Sequence, residues 1–305
     1  TSRASQVWQR FYLAVLQDDQ ASADFADLVA AHGRFNAHKA LSAALARRVE
    51  FALADAQGLP DRGVLHWTAH FPQFAGLQLP AQVLHSEGPR TTLALAARNL
   101  GRSKAASFSA KGRELEQALT AGNVQAVLDA LLTQKNAQRQ FSNNVIGLAQ
   151  VRAAQTLAQD LRAAMAQHEA WQHQQRLTRL TRLLIAQYAA LKRDEGWVDM
   201  NDVEQTAWAL LADPVASGWV QEQLDARIKH VLIDEFQDTN PLQWQALSAW
   251  LSGYAGAGGG YTGGAAPSVF IVGDPKQSIY RFRRAEPQVF QAAKRFVVEG
   301  LGGDS

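Results

Sequence analysis

Acidic side chains follow two short apolar segments in the last quarter of the chain. Asp234 and Glu235 come directly after the apolar residues 231–233, and Asp274 follows the apolar residues 269–272 after one glycine. A strand that ends in Asp-Glu can hold Mg²⁺ through one carboxylate while the other orients or deprotonates an attacking water. The pattern indicates phosphoryl-transfer chemistry, and an ordinary acidic turn is the alternative.

Cations and aromatic rings are interleaved just after the second apolar segment. Aromatic faces stack on unpaired bases and arginines contact phosphates, so this composition is typical of a groove that binds single-stranded nucleic acid. A basic helix with a buried tyrosine and phenylalanine is the structural alternative. The residues concerned are Lys276, Gln277, Tyr280, Arg281, Phe282, Arg283 and Arg284.

The elements that must position these groups are two strands and a helix. Residues 231–233 and 269–272 are β-branched runs without alternation, which predicts parallel strands buried on both faces. Between them, Asn240 can cap a helix that has Pro241 at its first position. Ligands of parallel sheets bind at the carboxyl ends of the strands, where both acidic clusters are expected.

The rest of the chain predicts helices. Residues 7–193 place apolar side chains at spacings of three and four, as in 40–53 and 115–132, and residues 199–212 predict one more short helix. Residues 58–80 contain several prolines and glycines among aromatic residues, which indicates an irregular segment whose aromatic rings belong to the core.

Charge is distributed unevenly although the formal net charge is only +2. Residues 89–182 sum to +8 and residues 183–273 to −7, so the basic block favours a polyanionic partner. Arg176, Arg179 and Arg182 lie along one side of a predicted helix, where they would contact either DNA or water. The other side of that helix carries an apolar stripe of Leu177, Leu180, Leu184, Tyr188 and Leu191. Residues 89–182 as a whole, together with Arg281 and its neighbours, predict weak, salt-sensitive binding of single-stranded DNA.

Several classes of protein are excluded by composition. The chain of 305 residues has no cysteine, which rules out a disulfide scaffold, a thiolate metal cluster and a cysteine nucleophile. No run of about 18 apolar residues and no signal-peptide pattern occurs, so a cytoplasmic protein without a membrane span is expected. The first residue is Thr1, which suggests a fragment or a processed product.

Two stretches of the chain resemble motifs of superfamily 1 helicases of the UvrD, Rep and RecB group. The Pro-Lys-Gln form of the second stretch makes it most similar to the AddA and RecB type subunits of helicase-nucleases that repair double-strand breaks. The stretches are Asp234-Glu235-Phe236-Gln237-Asp238-Thr239-Asn240, similar to motif II, and Gly273-Asp274-Pro275-Lys276-Gln277-Ser278-Ile279-Tyr280-Arg281-Phe282-Arg283, similar to motif III.

The resemblance implies a role for each matching residue. Asp234 would hold Mg²⁺, Glu235 would activate water, and Asp274 and Gln277 would contact the nucleotide, with Gln277 sensing its γ-phosphate. Single-stranded DNA would contact Tyr280, Arg281, Phe282 and Arg283. The implied cofactors are ATP and Mg²⁺, and the implied partners are single-stranded or duplex DNA and a nuclease or recombination subunit, with no membrane.

The resemblance also implies an α/β fold: a partial RecA-like parallel sheet of motor domain 1A with a large all-helical inserted subdomain, 1B. Residues 1–175 would be the mainly helical region and residues 176–305 the part of domain 1A that carries motifs II and III. The parent protein is then expected to be an ATP-dependent 3′–5′ DNA helicase of recombinational double-strand-break repair.

One element of such an enzyme is missing from the sequence. A phosphate-binding loop ends in Gly-Lys-Ser/Thr, and no Gly-Lys dipeptide occurs here. The chain is therefore interpreted as an internal fragment that does not hydrolyse ATP by itself. The alternative is a non-catalytic helical module for DNA or protein interaction that retains a helicase-like scaffold. A free phosphatase or nuclease is a weaker option, because His230 alone offers no ligand set.

Overall fold

A computed structural model describes residues 3–225, 228–252, 268–274 and 287–300 of the chain. The chain forms two compact units, Thr1–Leu191 and Lys192–Ser305, whereas the sequence predicted a boundary between residues 175 and 176.

The first unit begins with four helices, and short local signals set their ends. Asp18 caps the second helix by accepting a hydrogen bond from the Ala21 amide at 2.7 Å, and Gly33, with a φ of +79°, separates it from the third. The third and fourth helices are separated at Arg47, so the apolar run 40–53 does not form one helix. The helices are α1 (Arg3–Gln17), α2 (Asp19–His32), α3 (Arg34–Ala46) and α4 (Arg48–Ala56).

The predicted irregular segment is built of short helical turns around buried rings. Trp67 is fully buried and Phe74 nearly so, and both belong to the largest apolar core of the unit. This confirms the prediction that the aromatic residues of this segment are core residues. The turns are α5 (Leu59–Arg62), α6 (Trp67–His70) and the 3₁₀ helices Pro72–Phe74 and Pro80–His85.

Three helices then pack closely on that core: α7 (Glu87–Gly101), α8 (Ala106–Ala121) and α9 (Val124–Leu131). A methyl group at Gly112 would lie 2.3 Å from the Gly101 amide nitrogen, so α7 and α8 touch through their backbones. Gly122 has a φ of +64° and ends α8, which splits the predicted run 115–132 into two helices.

A helix of 48 residues, α10 (Leu148–Glu195), completes the helical region. Its first half contributes Val151, Ala158 and Leu161 to the core, and its second half buries Leu180 and Leu184 completely. The apolar stripe predicted for this helix is therefore confirmed at these last two positions.

The three arginines on the other side of α10 form ion pairs within the unit, which neither of the two alternatives, DNA or water, included. Each forms an ion pair with an aspartate of the first 61 residues. The partners are Asp27 for Arg176, Asp24 for Arg179, and Asp55 and Asp61 for Arg182.

These pairs differ in burial. The Asp24 side chain is only 3% exposed and receives two hydrogen bonds from Arg179, at 2.7 and 2.8 Å. The hydrogen bond from Arg182 lowers the pKa of Asp61, and the bonds to Asp55 and Asp61 raise the pKa of Arg182. The arginines thus hold α10 against the N-terminal helices.

A half-buried histidine of α10, His168, has both ring nitrogens shielded from solvent. Neither nitrogen has a hydrogen-bond partner among the described residues, and the ring stacks on Trp171. Burial, followed by the nearby charges of His66 and Arg176, lowers the pKa of His168.

The second unit contains a strand-helix-strand arrangement. Strands β1 (His230–Ile233) and β2 (Ser268–Ile271) are parallel, with Leu232 opposite Phe270, and helix α13 (Pro241–Ser252) lies between them in the chain. Around them are α11 (Met200–Ala212), α12 (Pro214–Asp225), α14 (Pro287–Arg295) and a π-helical turn, Phe296–Gly300. The predicted crossover unit and the short helix after residue 199 are confirmed.

The strands are not buried on both faces, so that prediction is wrong. Ile233 and Ile271 pack on the core formed by Phe236 and its neighbours, but Leu232 and Phe270 are 70% and 66% exposed. The reason is that, among the described residues, helices cover one face of the sheet only.

The chain as described is mostly helical with a two-stranded parallel sheet. This agrees with the α/β class and with part of a helicase domain. Among the described residues, no helix combines the length and the apolar character needed to cross a bilayer.

Candidate functional site

The end of β1 presents two carboxylates. Asp234 and Glu235 follow the strand directly, and both are exposed. Glu235 has left-handed backbone angles, φ +52° and ψ +38°, which a residue with a Cβ rarely adopts. Its amide donates a 2.8 Å hydrogen bond to Asp234 Oδ1. The left-handed residue turns the chain sharply from the strand into the 3₁₀ helix Phe236–Asp238.

Backbone hydrogen bonds continue past the ends of the paired strands. The Val272 amide donates to the Ile233 carbonyl at 2.8 Å, and the Phe236 amide donates to the Val272 carbonyl at 2.9 Å. Because of these two bonds, the segment after β1 lies beside the segment after β2. The acidic ends of the two strands are therefore neighbours.

A buried glutamine links the two ends through its side chain. Gln237 is 6% exposed; its Nε2 donates to Glu235 Oε2, and its Oε1 accepts a 3.0 Å hydrogen bond from the Asp274 amide. One carboxamide thus contacts both acidic segments.

Gly273 allows this approach. A Cβ at this position would lie 2.6 Å from Gln237 Oε1 and 3.0 Å from both the Phe236 amide nitrogen and Phe290 Cε2. Real Cβ atoms do not come as close as the first of these distances, so any larger residue would displace the glutamine.

Helix α13 starts shortly after this turn, and two reciprocal hydrogen bonds between Asn240 and Gln243 cap its first turn. Asn240 Oδ1 accepts from the Gln243 amide at 2.8 Å, and Gln243 Oε1 accepts from the Asn240 amide at 3.1 Å. Glu204 of α11 accepts from both side-chain amides. The predicted cap at Asn240 is confirmed, and α11 anchors it.

The structure describes three of the eight predicted site residues: Asp234, Glu235 and Asp274. Through the contacts above, it brings Glu235 and the backbone of Asp274 to one glutamine. The other five lie outside the described residues, and so does the glycine-rich stretch 253–264. These five are Gln277, Tyr280, Arg281, Phe282 and Arg283.

Reasoning from the sequence did not assign a function to Gln237 or Gly273, although both fall inside the motifs. A signal was available, since an amide within an acidic motif and a glycine directly after a strand are both unusual choices unless a close contact requires them.

The donor set suits one class of ion. Carboxylate oxygens at the end of a strand are ligands that a hard cation such as Mg²⁺ prefers, so Asp234 fits the predicted role. Among the described residues, no group of three or more histidine, aspartate or glutamate side chains has the geometry of a metal site.

Comparison with known proteins agrees with the motifs. The A subunits of the ATP-dependent helicase/nuclease of Bacillus cereus and of Bacillus thuringiensis are 36% identical to this chain over 135 residues, and that of Bacillus mycoides is 35% identical. The matched stretch is 42% of this chain but only 10% of each relative, so the chain spans a small part of their length. The family profile described as the UvrD/REP helicase N-terminal domain matches residues 78–297. The chain therefore belongs to the UvrD/REP helicase N-terminal domain family.

Proposed function

We propose that this chain is part of an ATP-dependent DNA helicase of DNA repair, acting on double-strand breaks in recombination with 3′–5′ polarity. The second unit would be part of a RecA-like motor domain 1A, and the helices of the first unit would include the inserted subdomain 1B. One observation carries the proposal: the acidic ends of β1 and β2 are neighbours and share Gln237. Family membership and the names of the relatives support it.

The residues at the strand ends divide the work of ATP hydrolysis. Asp234 holds Mg²⁺, which when bound neutralises charge on the phosphates. Glu235 orients the attacking water and accepts its proton. Asp274 and Gln277 contact the nucleotide, and Tyr280, Arg281, Phe282 and Arg283 contact single-stranded DNA.

The phosphate-binding loop of the proposed enzyme would come from another segment of a longer protein. Since the sequence has no Gly-Lys dipeptide, the chain alone cannot cradle the phosphates and is expected to be inactive. The full protein would act in the cytoplasm with a nuclease or recombination partner.

The decisive experiment measures ATPase activity of the full-length protein that carries this segment, with single-stranded DNA present. Glu235→Gln keeps the shape of the side chain but removes the base, so we expect kcat to fall by about 100-fold to 10,000-fold. Glu222→Gln, the same change at an exposed position of α12, is the control and should retain wild-type activity. Equal activity of the two variants would contradict the proposal.

The isolated chain provides a second test, in which fluorescence anisotropy of a labelled single-stranded oligonucleotide reports binding. We expect weak binding that is lost as salt rises, because phosphate contacts release bound cations from the nucleic acid. Affinity that does not change with salt would argue against an electrostatic DNA-binding surface.

The lack of a phosphate loop also favours a second candidate, a non-catalytic helical interaction module with a helicase-like scaffold. The two differ in the coding sequence upstream of this segment. A Gly-Lys-Thr phosphate loop there supports the motor, and its absence supports the module.

A further inference from the structure

Contacts with Asp274 and Glu235 hold the Gln237 carboxamide in one orientation. The Asp274 backbone N–H can only donate, so the group facing it must be the carbonyl oxygen, Oε1. A carboxylate oxygen of Glu235 accepts, so the group facing it is the NH₂. The assignment of oxygen and nitrogen is therefore fixed by chemistry, and no flipped amide satisfies both contacts.

The space around this amide is too tight for an alternative position. Gln237 is 6% exposed, and Gly273 approaches it so closely that a methyl group would collide with Oε1. The residue before it, Phe236, is 1% exposed and anchors the 3₁₀ turn in the core. The Glu235 side chain is itself exposed, and the hydrogen bond from Gln237 restrains its carboxylate.

The same bonds connect the carboxylate to the turn after β2. Because the planar Gln237 amide bonds the Asp274 backbone through its oxygen and Glu235 through its nitrogen, a displacement of Gly273 or Asp274 is expected to move the Glu235 carboxylate as well. That turn directly precedes residues 275–286, the segment predicted to contact nucleotide and DNA.

We propose that Gln237 is a positioning residue that sets the Glu235 carboxylate and couples it to the turn at Gly273-Asp274. DNA held by the segment after this turn would then influence hydrolysis through one side-chain amide. The inference rests on the proposed ATPase function and adds to it the route by which DNA stimulates the enzyme.

The test uses the full-length protein and measures kcat, the KM for ATP and the stimulation of ATPase by single-stranded DNA. Gln237→Met has a similar length but no hydrogen bond to either partner. Misplacement of a catalytic group by about 1 Å can cost about 100-fold in rate. We therefore expect kcat to fall about 10-fold to 100-fold, the KM for ATP to stay within about threefold, and most of the DNA stimulation to be lost.

Gln237→Glu separates the two contacts. It keeps an oxygen for the Asp274 amide but replaces the donating NH₂ with a second carboxylate against Glu235, so it should lose kcat as the methionine variant does and melt below the wild-type temperature. Circular dichroism at the assay temperature checks that both Gln237 variants are folded when kcat is measured. The matched control is Gln243→Met, which removes an equivalent amide network at the cap of α13 without contacting Glu235 or Asp274. It should keep wild-type kcat and stimulation.

Three results would overturn the inference. The first is wild-type kcat and DNA stimulation in both Gln237 variants. The second is a loss of kcat in the Gln243→Met control that equals theirs, which would indicate a structural role only. The third is wild-type activity of Glu235→Gln, which would overturn the proposed function itself and the coupling with it. A Glu235→Gln variant that is inactive beside fully active Gln237 variants would leave the proposed function standing and refute only the coupling.

Discussion

Gly273→Ala is the sharpest test of how the two strand ends meet. The new methyl would lie 2.6 Å from Gln237 Oε1 and 3.0 Å from the Phe236 amide nitrogen. The Phe236 amide is already bonded to the Val272 carbonyl and is part of the backbone, so it cannot move aside cheaply. The Gln237 amide must therefore move, and its bond with the Asp274 amide is lost.

The expected cost follows from two contributions. Overpacking a tight site costs about 1–3 kcal/mol, and a lost buried hydrogen bond costs about 1 kcal/mol. Together they give about 2–4 kcal/mol, which corresponds to a fall in amide protection of about 30-fold to 1,000-fold. The φ of Gly273 is not in the left-handed region, so no backbone strain adds to this figure.

Hydrogen-deuterium exchange of peptides that span residues 230–238 measures this effect locally. Gly88→Ala is the control, since nothing lies within 4 Å of a Cβ at that position. A second variant, Gly273→Ala combined with Gln237→Ala, should cost less than the sum of the single changes because the colliding side chain is gone. Protection within twofold of wild type in Gly273→Ala would refute the close contact on which the site depends.

Three further predictions concern stability. Arg179→Ala leaves the buried Asp24 carboxylate without its ion-pair partner and should lower the free energy of unfolding by about 2–4 kcal/mol. Arg176→Ala should cost less than about 1 kcal/mol, because its partner Asp27 is exposed. Chemical denaturation compares the two variants, and equal costs would contradict the difference in burial. Because burial lowers the pKa of His168, the folded state binds the proton less readily than the unfolded state. The free energy of unfolding should therefore fall as pH drops below about 6.5 and level off below the pKa of the folded state. The slope should be at most about 1.4 kcal/mol per pH unit. His168→Phe should reduce that slope in melts between pH 7 and pH 5, and an unchanged slope would count against it. Asn240→Ala removes the cap of α13 and should cost about 1 kcal/mol, measured by thermal melting followed by circular dichroism, and an unaltered melt would show that the cap contributes nothing.

The elements of the second unit were predictable because their signals are local. The β-branched runs and the Asn240-Pro241 pair predict the strand-helix-strand order without knowledge of the rest of the fold. The exposure of Leu232 and Phe270 was not predictable, since an apolar side chain in a strand does not reveal which face another element covers. In the first unit, the residue type of Gly122 could have indicated a helix end, because glycine readily adopts the left-handed conformation that ends α8. The residue type of Arg47, where α3 ends, gives no such indication.

The candidate site also has features that the sequence could predict and features that it could not. That Asp234, Glu235 and Asp274 follow neighbouring strand ends could be predicted, because parallel strands end at the same edge of a sheet. The bridge through Gln237 depends on a left-handed residue and a 3₁₀ turn that place one side chain between them, which sequence spacing does not specify. The partner of Arg179 lies 155 residues away, so its ion pair follows from the tertiary fold and from no local pattern.

The ion pairs of the α10 arginines reduce the number of cations with which the first unit can bind a polyanion. Aspartates of the first 61 residues form ion pairs with Arg176, Arg179 and Arg182, three of the cations in the basic block 89–182. The charges of these arginines are therefore largely neutralised before a polyanion binds. Each phosphate contacted on single-stranded DNA contributes about 0.7 to the slope of log affinity against log salt through counterion release. Affinities of this unit measured over a range of salt concentrations should therefore give a slope about two units smaller than the number of cations in residues 89–182 suggests.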